Sequence, residues 1–71
     1  PAWVPTTYAI GLWEAGERDL AIQFYRGAVL SNPRRWGESM ALAEAIRDWS
    51  PEEKRTIEAV YAAWRETVGQ R

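Results

Sequence analysis

Seventy-one residues and 8.2 kDa leave room for one small domain, and 46% hydrophobic with 27% charged residues is the balance of a folded chain. Cys and His are both absent, which removes disulfides, thiolate metal sites and the commonest general base. Nine Lys plus Arg against ten Asp plus Glu give a net charge of -1, which offers no pull toward nucleic acid or anionic lipid.

No apolar run is long enough to span a membrane, and no charged-then-apolar leader opens the chain. Pro1 is what remains when an initiator Met is removed before a small residue, so a cytoplasmic protein starting at its natural N-terminus is expected. Pro5, Gly16, Asn32-Pro33, Gly37, Ser50-Pro51 and Gly69 divide the chain into four stretches with helical apolar spacing. The expected fold is all-α: one domain over residues 1–71, with four helices at about 6–15, 18–31, 38–48 and 51–68.

The first segment, 6–15, has two apolar faces. Tyr8, Ala9 and Leu12 cluster on one side, and Thr6, Ile10 and Trp13 lie roughly opposite at 100° per residue. The Tyr8 face is expected to pack on the second helix, which leaves the other face to be explained. The second segment, 18–31, is apolar nearly all round, with only Gln23 and Arg26 clearly polar inside it. Such a helix is expected to be buried from several sides, at the centre of the domain.

The third segment starts between Pro33 and Ser39 and ends near Asp48. Leu42, Ala45, Ile46 and Trp49 form one stripe, and Trp36, Met40 and Ala43 an adjacent one. The short joint at 48–50 predicts an antiparallel or sharply angled pair with the last helix. That last helix has the clearest start. Ser50 suits the N-cap, Pro51 the first helical position, and Glu53 completes a capping box. Ile57, Val60, Tyr61, Trp64 and Val68 then make one continuous apolar face before Gly69.

Residues 5–33 resemble a tetratricopeptide repeat, a helix-turn-helix unit of 34 residues. Gly16 sits at the turn, and Ala21, Tyr25, Ala28 and Pro33 follow at the family's spacing. Small Ala21 and Ala28 let two helices approach, Tyr25 fills the crossing, and Pro33 stops the second helix. Pro5 stands where the family has its opening Trp, and no second repeat follows: Ser50, Arg55 and Ala59 occupy the turn, small and aromatic positions.

Catalytic readings find little support in the residues. The carboxylate pairs Glu14/Glu17, Glu44/Asp48 and Glu52/Glu53 lack a His partner for metal or acid–base work. Ser31, Ser39 and Ser50 have no base to activate them, and Gly11 and Gly16 make no phosphate loop. The chain is therefore expected not to be an enzyme, and to carry no cofactor or metal.

Five Trp are many for so small a core. Trp49 and Trp64 fall on core stripes, whereas Trp3 and Trp13 do not and Trp36 lies at a segment boundary, and Trp is enriched at interfaces. In the family resembled, the first helix of each repeat lines a groove for a partner peptide. That resemblance places Trp3, Thr6, Ile10, Trp13 and Glu14 at a partner face, with Arg34 and Arg35 at its rim. The spacing of Thr6, Ile10 and Trp13 marks the same face independently. The expected function is a small protein–protein interaction module, a subunit, adaptor or regulator of a larger assembly, with self-association open to it. Two alternatives are a nucleic-acid-associated regulator using Arg34 and Arg35, and a phage or mobile-element protein that inhibits a host protein by binding it.

Overall fold

The computed structural model describes residues 4–69, and Trp3 lies outside them. Five helices follow in order: α1 (Val4–Glu14), α2 (Arg18–Ser31), α3 (Pro33–Trp36), α4 (Ser39–Ala45) and α5 (Pro51–Gly69). The domain is all-α, with no strand among the described residues. No described helix is long and apolar enough to cross a membrane.

The chain turns between α1 and α2 at Gly16, whose φ of 88° lies in the left-handed region that glycine alone enters freely. Glu17 N donates to the Leu12 carbonyl at 2.8 Å and Gly16 N to the Trp13 carbonyl at 3.1 Å. That pair of bonds is a Schellman motif, which satisfies the last carbonyls of α1 and folds α2 back against it. Ala9, Ala21 and Ala28 are fully buried, and α1 and α2 pack together. Pro5 lies within the first turn of α1, where its missing N–H costs nothing.

The expected third helix, 38–48, is the shorter α4, and an additional short helix, α3, precedes it, so the domain has five helices rather than four. Asn32 Oδ1 accepts from Arg35 N at 3.2 Å and Pro33 opens α3, which Gly37 closes by donating to the Pro33 carbonyl at 2.8 Å. A side chain at Gly37 would bring its Cβ within 2.6 Å of that carbonyl oxygen. Glu38 is then extended, at φ -127° and ψ 136°, and sends the chain off in a new direction into α4. The pair of stripes expected for one continuous helix is split accordingly. Trp36 is buried, but Met40 is 85% exposed.

The capping box at the start of α5 is complete. Glu53 N donates to Ser50 Oγ at 3.2 Å, and Ser50 Oγ and N reach Glu53 Oε1 at 3.0 and 3.4 Å. Ile57, Val60 and Trp64 enter the core, while Val68 is left exposed. The main packing partners of α5 are α1 and α2 rather than α4. Tyr25, from α2, occupies the centre: its ring lies 5.8 Å from Trp64 and 6.2 Å from Tyr61. Trp36 closes one side of this core against Trp49, at 6.3 Å.

Candidate functional site

The α1 face expected to receive a partner is turned inward. Thr6 is only 2% exposed, and Ile10 and Trp13 are half-buried against the core. The Arg18 guanidinium lies over the Trp13 ring at 4.5 Å from its centroid, which covers it further. Glu14 is exposed, yet its Oε2 lies 3.3 Å from Thr56 Oγ1 of α5, which also donates to the Glu52 carbonyl at 3.1 Å. The physical reason is that α5 packs on α1. Thr6 is thus an interior residue, and Ile10 and Trp13 are partly buried at the edge of the core.

Arg34 and Arg35 are placed differently. Both are exposed on α3 and line an open groove of about 590 Å³ with Asn32, Ala41, Glu44 and Ala45. Among the described residues, those lining this groove come from α3, α4 and the Asn32 that caps α3.

The open apolar surface is on the outer side of the α1–α2 hairpin. Tyr8 is 56% exposed, Leu20 42% and Phe24 40%. Tyr8 does meet α2, through a tilted contact with Phe24 at 5.5 Å between centroids, but the two rings shield each other only in part. Leu20, Phe24 and Gly27 recur at i, i+4 and i+7 on one line of α2, and Pro5, Gln23, Phe24 and Gly27 border a shallow hollow beside it. A Cβ added at Gly11 or Gly27 would meet nothing within 4 Å. Phe24 and Leu20 escaped the sequence reading because α2 is apolar all round, which pointed to burial on every side. Seventy-one residues supply too few neighbours to surround it: α1, α3 and α5 cover the sides of Ala21, Tyr25 and Ala28 and leave the Leu20–Phe24 line open.

No protein-family model matches the chain, and no curated protein or solved structure matches it either. The site must be read from its own chemistry. Among the described residues no group of His, Cys, Asp or Glu is placed to hold a metal ion. Burial pushes the Tyr25 hydroxyl well above the usual tyrosine range, with Tyr61 adding to the effect. It acts as a neutral donor, to the Trp36 carbonyl.

Proposed function

We propose that this chain is a small protein–protein interaction module, a cytoplasmic subunit, adaptor or regulator that docks onto a larger assembly. The observation that carries this reading is the outer α1–α2 face, where Tyr8, Leu20 and Phe24 lie exposed. Leu30, Met40 and Val68 are exposed as well, but Tyr8, Leu20 and Phe24 are grouped, with Tyr8 and Phe24 in ring contact, and a grouped patch is what a partner interface buries. The partial burial of Ile10 and Trp13, beside the exposure of Tyr8, supports placing the docking residues on the outer α1–α2 face instead. The proposal of a tetratricopeptide-like hairpin is supported by the burial of Ala21, Tyr25 and Ala28 and the left-handed Gly16 at its turn. On this reading the module works by occupying a surface and performs no catalysis.

Co-purification from the native cell, compared across variants, tests it. Leu20→Asp and Phe24→Asp should each lose the partner while keeping the wild-type helical spectrum. Val68→Asp, on an exposed residue of α5, should retain it. Loss of partner in all three variants, or in none, contradicts docking through this face. A chain that sediments as a dimer dispersed by Phe24→Asp would instead assign the face to a second copy.

A further inference from the structure

We propose that the groove between α3 and α4 holds an acidic peptide segment of a partner protein, with Arg34 and Arg35 as its carboxylate receptors. The two arginines lie outside α2, whose last turn holds no basic residue. At the end of that helix Asn32 N and Ser31 Oγ both donate to the Ala28 carbonyl, at 3.0 and 2.9 Å. Arg34 and Arg35 belong to the separate turn of α3, whose four residues sum to little dipole. Among the described residues neither forms an ion pair; the one ion pair there joins Arg47 to Glu44 at 4.0 Å. Both guanidinium groups therefore stand unpaired at the groove, and Glu44, the acid that lines it, is engaged by Arg47 instead.

The rest of the groove suits a peptide. The Arg35 guanidinium rests over the Trp36 ring at 5.1 Å, a stacked position that holds its planar fork in place for a carboxylate. Asn32 Oδ1 is engaged by Arg35 N, which leaves the amide N–H groups as donors on the same wall. Ala41 and Ala45 line the α4 side, where short side chains leave room for a peptide backbone and an apolar residue between acids. A nucleic acid fits less well. It needs an extended track of positive charge, whereas Arg34 and Arg35 are the basic residues that line this groove, in a chain of net charge -1.

This site shares no residue with the outer α1–α2 face, so each proposal stands or falls alone. The test is a nuclear magnetic resonance titration of the isotope-labelled full chain with a blocked Asp-Glu-Asp-Glu peptide. Its Asn-Gln-Asn-Gln counterpart and a short oligothymidylate serve as rival probes. The amides of Asn32, Arg34, Arg35, Ala41 and Ala45 should shift with the acidic peptide, and less as salt is raised. The exposed pair Arg34→Gln/Arg35→Gln should weaken binding about tenfold or more with the fold intact. Equal binding of the neutral peptide overturns the proposal, as does tighter binding of the oligothymidylate. Groove amides that stay unmoved at millimolar acidic peptide overturn it too.

Discussion

The Tyr25 hydroxyl donates a hydrogen bond to the main-chain carbonyl of Trp36, joining the middle of α2 to the last residue of α3 within the core. One side chain thereby locks the short α3 turn, and with it the Arg34–Arg35 pair, onto the hairpin. Tyr25→Phe keeps the ring and its contacts with Trp64 and Tyr61 but leaves a buried carbonyl without its donor. It should cost about 1–3 kcal/mol, read as a lower urea midpoint. An unchanged midpoint would show that the bond does not hold α3 in place.

The same group sets an alkaline limit. Burial raises the Tyr25 hydroxyl above its ordinary value, with Tyr61 contributing. The unfolded chain ionises Tyr25 near pH ~10, while the folded chain keeps it protonated to higher pH. Stability from the buried neutral hydroxyl is therefore complete below about pH 10 and is lost as pH rises beyond it. The thermal midpoint should fall more steeply between about pH 9 and about pH 11 for the native chain than for Tyr25→Phe. Parallel curves would contradict the buried neutral state.

Trp64 closes the α5 side of this core, in ring contact with both Tyr25 and Tyr61. Trp64→Ala opens a cavity there and should cost about 3–5 kcal/mol. That is comparable to the whole stability of a small domain, so loss of the helical signal near room temperature is the expected result. A folded variant with an unchanged midpoint would mean that α5 does not pack by this face.

Two glycines should respond in opposite directions. Gly37→Ala places a Cβ 2.6 Å from the Pro33 carbonyl oxygen, a main-chain atom that moves only with α3. A loss of about 1–3 kcal/mol is expected. Gly11 lies within α1 and its added Cβ meets nothing within 4 Å, so Gly11→Ala should gain about 0.5–1 kcal/mol. Chemical denaturation of both variants checks the pair, and equal losses would contradict the tight closure of α3.

Where the local signals were self-contained, the fold could be read directly. Ser50, Pro51 and Glu53 mark the start of α5 through bonds made within one turn, and α2 spans residues 18–31 as its breakers indicate. Gly37 stood out as a breaker, but the short helix before it did not, because apolar spacing continues across the break. The separate turn rests on the Asn32 cap and on the extended Glu38 after Gly37, which only the folded chain reveals. The candidate site was legible only in part. Arg34 and Arg35 are open to solvent, as a basic pair in a polar stretch should be. The choice between the Tyr8 and Ile10 faces of α1 was not fixed by periodicity, since both are apolar. The position of α5 decides it, and that is a tertiary contact between distant parts of the chain.

Docking through the outer α1–α2 face is tested most directly by a photoreactive amino acid placed singly at Tyr8, at Phe24 or at Arg55 in the native cell. The account predicts a crosslink to the same distinct protein from Tyr8 and Phe24, and none from the exposed Arg55 on α5. Crosslinks of equal yield from all three positions, or none from Tyr8 and Phe24, would contradict it.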